Sequence, residues 1–194
     1  MRSLFVPDQL PELLAPAGFR WWIAGGYAID LWLNRSTRAH EDLDVAVLRP
    51  AAPSVRSFLK GWDLQVSHDG TLTPWDGALA LDRHAVWCRR GSDDAWAFEL
   101  LFNDVSGSDW VFRRDARIRR PLASIGVDTL AGLPVLAPEI VLLFKAKQRR
   151  PRDEADLANT LPILDEARRR WLSDAIRLVH PEHTWLTVID VPRA

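Results

Sequence analysis

Ile23-Ala24-Gly25-Gly26-Tyr27-Ala28-Ile29-Asp30 opens the stretch that decides the fold, and Glu41-Asp42-Leu43-Asp44-Val45-Ala46-Val47 closes it. A polar bridge, Arg35-Ser36-Thr37-Arg38-Ala39-His40, joins the two halves. The glycine pair stands where an apolar strand over 20–24 hands over to a helix predicted for 26–33. Backbone N–H groups exposed at such a helix start form an anion site. In the second half, Asp42 and Asp44 alternate with Leu43, Val45 and Val47. Residues i and i+2 of a strand share a face, about 6–7 Å apart. The pattern predicts a strand over 41–48 with two carboxylates on one side. Two such charges repel. A hard cation such as Mg²⁺ relieves that repulsion, taking one or two carboxylates plus substrate phosphates. A phosphate cradle followed by paired carboxylates points to phosphoryl or nucleotidyl transfer.

Each half alone is commonplace: a lone Gly-Gly is a turn, and a lone Asp-x-Asp is a solvated strand face. In this order and this close together they are specific. Gly25-Gly26-Tyr27-Ala28-Ile29-Asp30 followed by Thr37-Arg38-Ala39-His40-Glu41-Asp42-Leu43-Asp44 resembles the nucleotidyltransferase superfamily of the DNA polymerase beta type. Within it, the chain is most similar to the aminoglycoside 2''-nucleotidyltransferase-like group. The clear match spans 23–47, and weaker similarity continues to about residue 164.

The resemblance implies an α/β (α+β) fold. A small mixed β-sheet would form a nucleotidyltransferase core over 1–130, with a C-terminal helical segment, 131–194, packed on it. It implies a nucleoside triphosphate co-substrate, ATP by family habit, and a pair of Mg²⁺ ions. A nucleoside monophosphate would pass to a hydroxyl of a small molecule such as an aminoglycoside-like aminosugar, with loss of pyrophosphate. By the same resemblance Asp42 and Asp44 hold metal, and Gly25 and Gly26 hold phosphates. Arg38 offsets their charge, Asp30 anchors the loop and His40 braces it.

The resemblance also implies a third carboxylate on a neighbouring strand. Phe98-Glu99-Leu100-Leu101-Phe102 places one carboxylate in an otherwise apolar strand. Glu99 is either an edge residue facing water or that third ligand, where many relatives carry Asp. Asp104 is the fallback. Relatives also show a Pro-Glu…Lys…Lys-Asp-x-x-Asp-Leu pattern. Here it reads Pro138-Glu139…Lys145…Arg152-Asp153-x-x-Asp156-Leu157, with Arg for the second Lys. Lys145 is then a candidate for the triphosphate, or an exposed lysine favoured at a helix C-terminus. Asp153 reads as an N-cap, and Asp156 as a first-turn carboxylate.

Composition narrows the classes. A chain of 194 residues with 47% hydrophobic content fits one core. Its net charge of −1 argues against a non-specific nucleic-acid binder. The single cysteine excludes an internal disulfide and suits a reducing cytoplasm. No apolar run suggests a signal peptide or a membrane span. With that cysteine alone and no paired histidine spacing, a zinc site is not expected.

The remaining chain reads as a helix over 7–16, a helix over 54–60, and strands over 62–68, 84–90 and 96–102. A β-like basic stretch follows over 110–125, carrying Arg113, Arg114, Arg117, Arg119 and Arg120. It is either a solvated ribbon or a phosphate-contacting surface. Helices are predicted for 137–147, 153–164 and 165–179, with Arg168-Arg169-Arg170 on a solvated face. The tail over 183–191 stays open between helix and strand. A cationic acceptor would want acidic walls, and Asp93, Asp94, Asp104 and Asp109 cluster in sequence. Two other readings stand beside the small-molecule transferase. One is a toxin-like nucleotidyltransferase acting on RNA or protein. The other is a nucleotide-binding module without catalysis.

Overall fold

The computed structural model describes residues 5–92 and 94–191. Among them ten strands join one mixed sheet, and seven α-helices surround it. Strand β2, Asp44–Leu48, lies near its middle. Val45, Ala46 and Val47 are fully buried, as expected of a strand covered on both faces. On one side β2 pairs antiparallel with β1, Trp21–Ile23. On the other it pairs parallel with the long β6, Phe98–Ser106. Beyond β6 follow β5, Ala85–Arg89, then β3, Asp63–His68, and β4, Thr71–Pro74. The β3–β4 turn is Asp69-Gly70, both with positive φ (46° and 76°). That is the two-residue hairpin geometry whose twist suits the flanking strands. Strand β7, Asp109–Val111, pairs with the far end of β6, and β8, Arg119–Pro121, pairs with β7.

The basic stretch over 110–125 is therefore mostly not strand. Only residues 110–111 and 119–121 pair; 112–118 form a connecting loop and 122–124 a 3-10 turn. The stretch before residue 137 is regular. It makes a hairpin of β9, Gly126–Asp128, and β10, Pro134–Leu136. Strand β10 lies parallel beside β1, with Val135 opposite Ile23. The boundary expected at 130/131 falls inside this hairpin.

Most helices start where proline or a capping residue permits. Helix α1, Leu10–Leu14, extends a 3-10 turn and buries Leu10 and Leu14. Helix α2 is Gly25–Leu33, and Asn34 closes it in the left-handed region. Helix α3, Ala52–Phe58, follows a turn with Pro50 in its first residues. Helix α4, Pro138–Lys145, and α5, Pro151–Thr160, both begin on proline, whose missing N–H costs nothing there. Asp153 is thus the third residue of α5 and not its N-cap. Its carboxylate reaches back to accept the Arg150 N–H (3.1 Å).

Helix α6, Glu166–Val179, is capped by Asp165, which accepts the Arg168 N–H (2.8 Å). Leu172, Ala175 and Ile176 form its apolar stripe. The arginine run before them does not share one solvated face. Arg168 pairs with the buried Glu139 (3.0 Å). Arg169 is buried and donates to the carbonyls of Ile189 and Val191. Arg170 alone stays largely in solvent. The tail forms α7, Leu186–Ile189. Helices α2, α4 and α5 pack on one another, and α6 packs on α4. The helices that carry Lys145 and Asp156 are thereby pressed against the helix that begins at Gly25.

Candidate active site

The glycine pair does more than expose N–H groups. Gly25 has φ +61°, and a Cβ there would collide with the Asp44 carboxylate. A Cβ on Gly26 would collide with Arg38 and the His40 ring. The start of α2 is therefore pressed between the strand that presents Asp44 and the loop that follows α2. A Gly25→Ala variant should lose about 1–2 kcal/mol from the left-handed backbone alone. Displacement of Asp44 should cut transfer more than tenfold. Urea unfolding and initial rates measure the two effects separately.

Asp30, on α2, is buried and organises that loop. One of its oxygens accepts from the Thr37 backbone N–H (3.1 Å) and hydroxyl (2.5 Å). The other meets His40 Nε2 at 2.6 Å. Tyr27 stacks on His40, with ring centroids 4.3 Å apart. Asp30 and His40 thus stand as anchor and brace.

Asp42 precedes β2 instead of lying in it, so the regular strand begins at Asp44. The parallel pairing of β2 with β6 sets Glu99 directly opposite Asp44. Their side chains share a hydrogen bond. Burial raises the Asp44 pKa to about 6, with the Asp42 charge adding to it and Lys145 opposing. Burial also raises Glu99, to about 8, helped by the charges of Asp44 and Asp42. At neutral pH Glu99 therefore keeps a proton and shares it with Asp44. Asp104, the fallback, is engaged elsewhere: it pairs with Arg49 at 2.5 Å.

Among the described residues no three His, Cys, Asp or Glu side chains already close into an ion cage. The donor set nevertheless suits a hard cation. Asp44 and Glu99 are in contact through oxygen, and the Asp42 charge raises the proton affinity of both.

Cations come from the C-terminal helices. Lys145 is almost wholly buried, not an exposed helix-end lysine. It pairs with Asp156 at 2.8 Å and with Asp153 at 3.4 Å. Arg38 grips the same Asp156 with two nitrogens, each at 3.2 Å. Asp156 is thus a buried hub between the motif loop and α4, well beyond a first-turn helix preference. Arg35 donates to Asn159 (3.0 Å) and Arg152 lies 3.7 Å from Glu41. These contacts fasten α5 to the loop.

A cleft of about 360 Å³ opens over this floor. Gly25, Asp44, Lys145 and Arg150 line one end, and Ser67, His68, Asp69 and Asp82 the other. Arg113, Arg114 and His84 also line it, as does Phe144. The basic stretch is thereby divided: Arg117 pairs with Asp115 and Arg120 with Glu139, while Arg113 and Arg114 face the cleft. The acidic residues that cluster in sequence do not gather here. Asp94 accepts the Gly91 N–H in its turn, Asp104 is tied to Arg49, Asp109 sits in β7, and Asp93 lies outside the described residues. Asp69 and Asp82 reach the cleft instead, both against His68 (3.2 and 3.6 Å).

Residues 8–158 match the family described as aminoglycoside-2''-adenylyltransferase. The chain belongs to that family. Membership makes it a nucleotidyltransferase that uses a nucleoside triphosphate. Among curated proteins none matches it. Its fold is similar to that of the lincosamide antibiotic adenylyltransferase LnuA, solved with lincomycin bound. The TM-score is 0.55 at 13% identity, over 81% of this chain and 95% of that one. It is likewise similar to ANT(2'')-Ia in complex with adenylyl-2''-tobramycin. There the TM-score is 0.54 at 16% identity, over 89% of this family member and 95% of the other. No helix among the described residues is long and apolar enough to cross a membrane.

Proposed function

We propose that the protein moves a nucleoside monophosphate, AMP from ATP, onto a hydroxyl of a small antibiotic-like molecule such as an aminosugar. The observation that carries this reading is the Asp44–Glu99 pair. Asp44 lies against Gly25 and lines a cleft large enough for a small ligand, with Glu99 opposite it on the neighbouring strand.

Asp42, Asp44 and Glu99 are the residues that would hold Mg²⁺. When bound, Mg²⁺ supplies positive charge to the reacting phosphate and acidifies the acceptor hydroxyl. The N–H groups of Gly25 and Gly26 bind the β- and γ-phosphates at the start of α2. Lys145 lends charge from the cleft wall, and Arg38 does so from its grip on Asp156. Glu99, freed of its own proton when a cation binds, would take the proton of the acceptor hydroxyl as that oxygen bonds the α-phosphorus. The bond from that phosphorus to pyrophosphate breaks in line. Positioning and fixed charge supply most of the acceleration.

A macromolecular acceptor would need a continuous basic face. Arg117 and Arg120 are spent on Asp115 and Glu139, which supports a small one. The test is calorimetry with ATP, GTP, CTP and UTP, with and without Mg²⁺, followed by pyrophosphate release with lincomycin and tobramycin. Tight Mg²⁺-dependent binding of one triphosphate, lost in Asp42→Asn/Asp44→Asn, is expected. Absence of binding at millimolar concentration sinks the scheme.

A further inference from the structure

His84 lines the cleft, and its partners fix its chemistry. Arg49 reaches it from the turn after β2, with Nη2 at 2.6 Å from His84 Nδ1. A guanidinium can only donate. Nδ1 must therefore be the bare nitrogen, and the ring proton must sit on Nε2. The same guanidinium is held in place by Asp104 (2.5 Å) and by the carbonyls of Arg83 (3.0 Å) and Ala80 (3.3 Å). The His84 carbonyl is in turn fixed by the Phe102 N–H (2.7 Å). No described residue accepts from Nε2.

We propose that Arg49 locks His84 as a permanently neutral Nε2–H donor in the cleft, where it recognises a lone pair of the acceptor molecule. This rests on the transferase reading above for the word acceptor, but not for the lock. Phe102 lies three residues beyond Glu99 on β6, roughly 10 Å along a strand. The recognised atom is therefore well removed from the reacting hydroxyl. It is a hydroxyl, ether or carbonyl oxygen, or an anion. An ammonium group would meet an N–H dipole with Arg113 behind it, and is disfavoured at this point. His84 is a positioning and selecting residue, not an acid or base.

The surroundings agree. Burial lowers the His84 pKa to about 4, with Arg113 and Arg49 acting in the same direction and Asp104 and Asp82 opposing. His68, at the cleft end, instead stands between two carboxylates.

The test is imidazole nitrogen NMR on the full chain from pH 5 to 8, without ligand. His84 should remain an Nε2–H tautomer throughout. In Arg49→Met the Nδ1–H tautomer should become populated and the midpoint should rise, while burial and Arg113 still hold it below the ordinary histidine value. An Nδ1–H ring, or a wild-type midpoint near 6.5, overturns the lock. Kinetics then use whichever of lincomycin and tobramycin is turned over. His84→Ala should raise KM for that acceptor about tenfold, with KM for the triphosphate unchanged and kcat within about twofold. Unchanged acceptor KM overturns recognition by His84. If neither antibiotic is turned over, the proposed acceptor class fails, and the NMR result still decides the lock.

Discussion

Replacing Glu99 by glutamine is expected to silence transfer and, at pH 8, to stabilise the metal-free protein. The loss of activity should be about 10²–10⁴-fold, the usual contribution of a positioned proton acceptor. The gain in stability follows from linkage. Burial and the neighbouring aspartates raise the folded-state pKa of Glu99 from 4.5 to about 8. A raised acid pKa contributes stability that is fully present below the unfolded value and is lost as pH climbs through the folded value. Between about pH 4.5 and 8 the native chain therefore weakens at this group, and glutamine, which does not titrate, removes the slope. The variant should melt higher at pH 8, by about 2–4 °C for each kcal/mol recovered. It should show little advantage at pH 5. Mg²⁺ should raise the melting temperature of the native chain and release protons, with a much smaller effect on the variant. Equal melting temperatures at pH 8 would mean that Glu99 is not held as the pairing with Asp44 indicates.

Asp156→Ala is expected to be the most destabilising single change in the helical part. Asp156 is fully buried, and it receives Lys145 from α4 and both nitrogens of Arg38 from the motif loop. Removing one partner of a buried ion pair costs about 3–5 kcal/mol, because the charges left behind are neither hydrated nor paired. Here Lys145 keeps only the longer Asp153 contact (3.4 Å) and Arg38 the Ala39 carbonyl (3.1 Å), so the loss should fall toward the low end of that range. Adding Lys145→Met to Asp156→Ala should recover part of the loss, and urea unfolding measures both. A single-variant loss below about 1 kcal/mol would show the hub to be well solvated. The double variant should remain inactive, since Lys145 is then missing from the cleft.

The centre of this site was legible because its chemistry is local. Gly25, Gly26, Asp42 and Asp44 lie within one short stretch, and Glu99 stands out as a carboxylate in an apolar strand. The cleft walls were less legible. Arg113 and Arg114 belong to the same run as Arg117 and Arg120, and in an irregular loop no periodicity tells which side chain faces where. Arg169 sits in an Arg-Arg-Arg run that reads as solvent-facing. It is buried because two backbone carbonyls of the tail need a donor, a pairing that no spacing reveals. The glycines carried a further meaning. Their close approach to Asp44, Arg38 and His40 depends on three segments meeting, so sequence showed the residue type and structure its reason. Conversely, acidic residues that neighbour one another in sequence were scattered by the hairpins that hold them.

The place of β10 has a consequence for how the molecule is made. Strand β1, which leads into Gly25, has β2 on one flank and β10 on the other. The first neighbour is synthesised soon after β1; the second arrives more than a hundred residues later. Until then a growing chain presents β1 as a bare edge, a surface prone to pairing with other chains. The same late segment runs straight on into α4 and Lys145. The event that covers the edge is thus the one that completes the wall of the cleft. A ribosome-bound chain stalled near residue 130 should be both sticky and inert, and it should become neither only once the hairpin and α4 have emerged.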